Sequence, residues 1–227
     1  LRARRPGLPI ARLPLGAHLP AALLAAAARA PAGEGAPRFL MFGRLLPYKG
    51  LDLLRDAWPL LRARHPGATL RVVGEGDAER LAPGLAALPG VAVEPRWAGE
   101  AEIPSLLAGA DALVLPYREA SQSGVIGLAF ALGVPAVVTP VGGLAEQVAD
   151  GVTGAVAAAV TPAALAEAMA RLCDPAERVR LAAGAREAGR ALADWDAHAA
   201  RLVGVLAGML GRSVGKGFAG TRPGSLA

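Results

Sequence analysis

The chain has 227 residues, 53% hydrophobic and only 4% aromatic, with a mean hydropathy of +0.39; this excludes a disordered chain and calls for a core built from Ala, Leu and Val. The net charge of +5 is unevenly spread: residues 1–50 carry eight Arg/Lys against one Glu, residues 211–227 carry three against none, and the stretch between carries thirteen against eighteen. Basic charge gathered in Pro/Gly-rich ends excludes a nucleic-acid binder, and the single Cys173 excludes an internal disulfide or a Cys-rich metal site.

Along the chain, residues 1–37 read as a leader or linker, with prolines at 6, 9, 14, 20, 31 and 37 and room for one Ala-rich helix at 20–29. Arg2, Arg4 and Arg5 are followed by prolines instead of an apolar run, so no signal peptide is expected. From Phe39 onward strand and helix alternate. Strands are expected at 38–42, 69–73, 91–94, 112–115, 136–139 and, weakly, 155–158. Helices are expected at 50–64, 78–88, 103–108, 124–132, 144–149, 162–172, 176–192 and 195–210. Trp58 and Trp195 fall at helical positions and are read as core. Continuous apolar strands separated by helices make a parallel sheet covered on both faces, a doubly wound, Rossmann-like α/β domain over 38–210 with C-terminal helices. Residues 211–227 are Gly/Ser/Arg-rich and are expected to be disordered. Residues 120–145 carry no charge, but Gly133, Pro135, Pro140, Gly142 and Gly143 break the run into helix, turn and strand, so no transmembrane segment is expected.

Chemistry concentrates at the carboxyl ends of the strands, where open α/β sheets bind ligands. After the first strand, Phe42-Gly43-Arg44-Leu45-Leu46-Pro47-Tyr48-Lys49-Gly50 sets two cations, Arg44 and Lys49, beside a helix start, with Gly43 permitting close backbone approach. That pairing suits a diphosphate, which Arg grips bidentately and Lys meets as a point charge; a solvated loop remains the plainer reading. After the fourth strand, Glu119 is a carboxylate able to accept sugar hydroxyls, or a surface acid paired with Arg118. The backbone N–H groups of Ser123, Gly124 and Val125 stand at a helix start, where an anion can bind. After the third strand, Arg96 and Trp97 offer a guanidinium and a flat ring for a base, or a ring packed under a loop. Gly74-Glu75-Gly76 has two glycines of a dinucleotide fingerprint, but Glu79 replaces the third, which disfavours a nicotinamide-dependent dehydrogenase. His18, His65 and His198 are too scattered for a metal motif.

These segments also carry a resemblance. FGRLLPYKGLD, VVGEG, AGADALVLPY, SGV, ALGVPAVVT and VGGLAEQVADGVTG occur in that order over about three quarters of the chain, which resembles the C-terminal, donor-binding domain of a GT-B glycosyltransferase, close to the retaining family-4 group. The resemblance implies one half of a GT-B fold, a UDP- or GDP-linked sugar as donor, no metal or other cofactor, and a separate N-terminal acceptor domain to which residues 1–37 would lead. It implies that Arg44 and Lys49 grip the diphosphate, that the Ser123–Val125 amides complete the cradle, that the segment around Arg96 and Trp97 holds the base, and that Gly142 and Gly143 pass near the donor. The chain departs from the pattern where the family has two glutamates. Counted back from Gly133-Val134-Pro135, those positions are Ala120 and Leu128; Glu119 is one residue early, and ribose recognition must differ. The expected activity is sugar transfer with retention, Glu119 orienting the sugar, in a cytoplasmic or membrane-peripheral protein. The alternatives are a non-catalytic nucleotide-sugar-binding module, an inactive fragment, and a nucleotide-sugar epimerase.

Overall fold

The computed structural model describes residues 35–209; the leader, its Ala-rich stretch and the tail beyond 210 lie outside them, apart from the last three leader positions. Two compact units are formed: one takes in the described residues 35–193 and holds the sheet, and the other takes in the described residues 194–209.

Six strands, β1 (Arg38–Phe42), β2 (Thr69–Val73), β3 (Val91–Glu94), β4 (Ala112–Leu115), β5 (Ala136–Val138) and β6 (Gly154–Val156), form one sheet in the order β3-β2-β1-β4-β5-β6. Every pairing is parallel, with Phe39 opposite Leu70 and Ala112, Leu113 opposite Ala136, and Ala136 opposite Gly154. The order reverses direction between β1 and β4, and such a switch point opens a crevice at the strands' carboxyl ends.

Helices cover both faces: α1 (Leu51–Arg64), α2 (Ala78–Leu81), α3 (Ile103–Ala108), α4 (Gly124–Ala131), α5 (Leu144–Gln147), α6 (Pro162–Arg171) and α7 (Pro175–Ala193). Because side chains alternate along a strand, the core divides in two. Phe39, Met41, Val114 and Val137 pack with Trp58, Leu61 and Met169 of α1 and α6. Leu40, Leu113, Leu115 and Val138 pack with Leu107, Ile126, Phe130 and Ala185 of α3, α4 and α7. Trp58 is fully buried, meets Phe39 edge-on and donates its indole N–H to the Pro89 carbonyl at 2.9 Å. With few aromatics available, elsewhere small residues let backbones approach. A side chain at Gly189 of α7 would stand 2.3 Å from the Phe130 carbonyl of α4.

Two expectations need correction. The predicted helix 78–88 is α2 followed by a separate 3-10 turn at Leu85–Ala87, because Pro83 cannot continue the helix and Gly84 takes φ +78°. Trp195 is not core: it lies on α8 (Trp195–Met209), half exposed, edge-on to His198. Leu202, Val203, Leu206 and Met209 of α8 are likewise exposed, and α8 has no buried residue. Among the described residues no helix is long and apolar enough to cross a membrane.

Candidate functional site

Three loops interlock at the carboxyl end of the sheet. The loop after β1 (43–50) is closed by a 3-10 turn at Pro47–Lys49 and by Gly50, whose φ of +67° reverses the chain into α1. A side chain at Gly50 would stand 1.9 Å from the Pro116 carbonyl, so glycine lets this loop lie against the end of β4. Arg118 N–H then donates to the Tyr48 carbonyl at 2.7 Å, and the Arg118 guanidinium pairs with Asp52 of α1. From the other side, the loop after β2 supports the first. Leu45 N–H donates to the Glu75 carbonyl at 2.7 Å, and Gly74 lies so close to Gly43 that a Cβ would sit 2.0 Å from its carbonyl. The Gly74-Glu75-Gly76 segment is thus a packing device under the β1 loop.

This scaffold places the two cations differently. Arg44 is exposed, whereas Lys49 is only 9% exposed. Lys49 Nζ lies over the Tyr117 ring, 5.2 Å from its centroid, and a Cβ at Gly43 would come within 3.0 Å of it. Among the described residues neither Arg44 nor Lys49 makes an ion pair or hydrogen bond through its side chain, whereas Arg38 pairs with Asp111, Arg71 with Glu94 and Arg171 with Asp150. Burial, with the Arg44 charge beside it, pulls the Lys49 pKa below its ordinary 10.5. Two cations without a counter-ion beside a helix start have the chemistry to accept an anionic group.

The loop after β4 (116–123) is held from behind. Gly142 and Gly143, at the start of α5, press their backbones against it: a Cβ would stand 1.6 Å from the Ala120 carbonyl and 1.9 Å from the Ser121 carbonyl, respectively. Only glycine fits both positions, and the pair therefore shapes the loop bearing Glu119. The Thr139 hydroxyl donates to the buried Tyr117 carbonyl. Gln147 of α5 grips Ser123 at both ends, accepting from its N–H at 2.8 Å and donating to its carbonyl at 3.1 Å. This revises the expected cradle. The Ser123 N–H already has a partner, so the groups left for an anion at the start of α4 are those of Gly124 and Val125. Glu119 is exposed on this loop and makes no ion pair among the described residues; Arg118, its expected partner, is taken by Asp52.

Arg96 and Trp97 stand apart from this group, beyond β3. Glu102 and Glu94 both bind the Arg96 guanidinium and raise its pKa further, leaving it fixed on the surface. Trp97 is 67% exposed, an open ring face next to that ion cluster. Between β2 and β3, a cavity of about 290 Å³ is lined by Gly76, Asp77, Ala78, Leu85, Val93 and Pro95 among others. Leu128 is partly buried and packs into the apolar core behind α4. Among the described residues no group of three or more His, Cys, Asp or Glu side chains could hold a metal ion.

Sequence reasoning missed Tyr117, Gln147 and the Asp52–Arg118 pair. Their roles depend on segments 24 to 68 residues apart meeting at one sheet edge, which no local pattern reveals.

The family described as Glycosyl transferases group 1 matches residues 36–174. A glycogen synthase of Mycobacterium tuberculosis is 38% identical over 174 residues, 74% of this chain and 42% of the relative. A GDP-mannose-dependent alpha-(1-6)-phosphatidylinositol monomannoside mannosyltransferase of Mycolicibacterium smegmatis is 35% identical over 187 residues, 76% of this chain and 48% of the relative. The chain thus spans less than half the length of these curated relatives. Among solved structures, a sucrose-phosphate synthase from Thermosynechococcus elongatus superposes with TM-score 0.66 at 26% identity, covering 88% of this chain and 53% of the other. The C-terminal domain of a glycosyl transferase group 1 family protein from Francisella tularensis shares the fold, with TM-score 0.58 at 18% identity, covering 77% of this chain and 92% of that domain.

Proposed function

Because the chain belongs to the Glycosyl transferases group 1 family, we propose that it is the donor-binding half of a glycosyltransferase moving a sugar, with retention, from a nucleotide-diphosphate sugar to an acceptor. The observation that carries this reading is the buried Lys49 ammonium with no carboxylate partner, beside the exposed and equally unpaired Arg44. A protein leaves such charge uncompensated at a cost, and an anionic ligand supplies the missing partner.

In this reading Arg44 and Lys49 hold the diphosphate, with the Gly124 and Val125 amides completing its cradle. When the bond between the anomeric carbon and the diphosphate breaks, the electron pair leaves with the phosphate oxygen, and these fixed cations stabilise the growing charge. The acceptor hydroxyl forms the new bond to that carbon and gives up its proton to the departing phosphate oxygen. Glu119 orients the donor sugar, and the base lies along the segment of Arg96 and Trp97. The acceptor binds on a separate N-terminal domain, and the diphosphate's charge is met by these side chains and amides without a metal. In this reading the protein works in the cytoplasm or at a membrane surface.

A second reading, a module that binds the nucleotide sugar without turnover, is favoured by one observation: Leu128, where the resemblance expects a ribose-binding glutamate, is an apolar side chain in the core. The two-domain protein separates the readings. Transfer to an acceptor that is lost in both Arg44→Ala and Lys49→Ala supports the transferase; tight donor binding with no transfer supports the module. Unchanged donor affinity in both variants would overturn the site assignment itself. An epimerase would alter the donor sugar with no acceptor present.

A further inference from the structure

We infer that Tyr117 is the positioning residue of the cation site: its ring face holds the Lys49 ammonium where a carboxylate would otherwise stand, leaving that charge unspent for an anion. The inference rests on the proposed function for the identity of the anion, but its physical content concerns this chain alone.

A buried ammonium needs a partner, and the usual partner, a carboxylate, would cancel its charge and repel a diphosphate. An aromatic face attracts the cation through its quadrupole while carrying no net charge. Tyr117 supplies that face, 5.2 Å from Lys49 Nζ, and is itself only 3% exposed. Its ring cannot drift: Tyr48 packs edge-on at 6.0 Å with an interplanar angle of 90°, and the Tyr117 carbonyl accepts from the Thr139 hydroxyl at the end of β5. The phenol faces the Ser123 side chain at the start of α4, and burial pushes its pKa up to about 12, so the ring stays neutral wherever Lys49 is charged. Gly43 keeps the space over the ring open, since a Cβ there would meet the ammonium. The other charged groups of these loops are Arg44, which disfavours the Lys49 charge, Arg118, which pairs with Asp52 of α1, and Glu75 and Glu119, both exposed and without an ion pair among the described residues. Tyr117 thereby joins the two halves of the cradle, with its face under Lys49 and its hydroxyl toward Ser123.

The sequence makes the test direct, because its lysines are Lys49 and Lys216. Lysine labelled with ¹³C at Cε gives two signals in the intact chain, and Lys216→Arg assigns them. In the unsubstituted protein, the Lys49 signal is expected to lie upfield of that of a free lysine side chain, shifted by the ring it overlies. In Tyr117→Leu, loss of a cation–π contact should lower the Lys49 titration midpoint by about 0.5 to 1.5 pH units, whereas Tyr117→Phe should leave it within a few tenths. A change that merely loosened packing would let water in and move the midpoint up. An unchanged or raised midpoint in a folded Tyr117→Leu protein overturns the inference, as does an unsubstituted protein whose Lys49 signal shows no ring shift. The latter can be read even if the leucine variant does not fold. Titration with UDP and GDP keeps the two claims apart. If the midpoint falls as expected but neither nucleotide binds, Tyr117 keeps its role and the diphosphate reading fails. If a nucleotide binds while the midpoint ignores the ring, the reverse holds.

Discussion

Replacing Lys49 with methionine should move stability and ligand affinity in opposite directions. The side chain is 9% exposed, its ammonium meets no carboxylate, and its pKa is held below 10.5 by burial and by Arg44. The unfolded chain therefore binds this proton more tightly than the folded one, and at neutral pH the lysine destabilises the fold. Methionine keeps the unbranched apolar stem and removes the charge. Relief of this one buried charge is of the order of 1 kcal/mol, which for a chain of this size corresponds to a rise in melting temperature of roughly 2–4 °C. Binding of a nucleoside diphosphate would at the same time lose a charge-assisted hydrogen bond of about 1.5–3 kcal/mol, some 10- to 150-fold in Kd. Thermal unfolding followed by circular dichroism gives the first quantity, and calorimetric titration of the same sample with UDP and GDP gives the second. A variant that melts below the parent, or binds nucleotide as tightly, refutes the reasoning; the first outcome would mean that Lys49 is a structural residue whose partner is already satisfied.

Further expectations follow from the same loops. Nucleotide affinity should fall as pH rises through the lowered Lys49 pKa, while the free protein gains stability from that pKa up to 10.5, because over this window the unfolded chain holds the extra proton; affinity that is flat to pH 10.5 would contradict it. Gly142→Ala places a Cβ 1.6 Å from the Ala120 carbonyl at φ +47°, and strain plus the forced loop shift should cost about 3 kcal/mol; a melting temperature within a degree of the parent would show the loop to be free. Gln147→Leu unpairs the Ser123 N–H and leaves its carbonyl with only the Ile126 N–H at 3.4 Å, at about 1–3 kcal/mol, and amide exchange at Ser123 should accelerate. Unchanged protection there would mean that the grip on the α4 start lies elsewhere.

The strands were the most legible part of the sequence. β1, β2, β3 and β4 begin and end at the expected residues because each is an apolar run bounded by Gly, Pro or a charge. β6 was blurred, since 154–159 is nearly all alanine and valine; its start is set by Gly154, the residue that can approach the Ala136 carbonyl of β5. The break between α2 and the 85–87 turn was hidden by helix-forming residues on both sides of Pro83. At the site, Gly43, Arg44 and Lys49 could be singled out because they share one short loop, and family order placed them opposite the Ser123 turn. What the cations touch could not be read. Tyr117 lies 68 residues from Lys49, and only the neighbouring of β1 and β4 in the sheet brings them together. The role of the Gly142–Gly143 pair was likewise hidden, because its clamp on residues 120 and 121 is a backbone contact that leaves no mark on side-chain pattern.

The central claim is that this edge of the sheet binds the diphosphate of a nucleotide sugar, and calorimetric titration of the purified chain with UDP and GDP, at low and at moderate salt, tests it most directly. The account predicts that at least one of them binds, that affinity weakens with salt as expected for Arg44 and Lys49 meeting a diphosphate, and that binding disappears when both are replaced by alanine. A folded chain that binds neither nucleotide at low salt would contradict it.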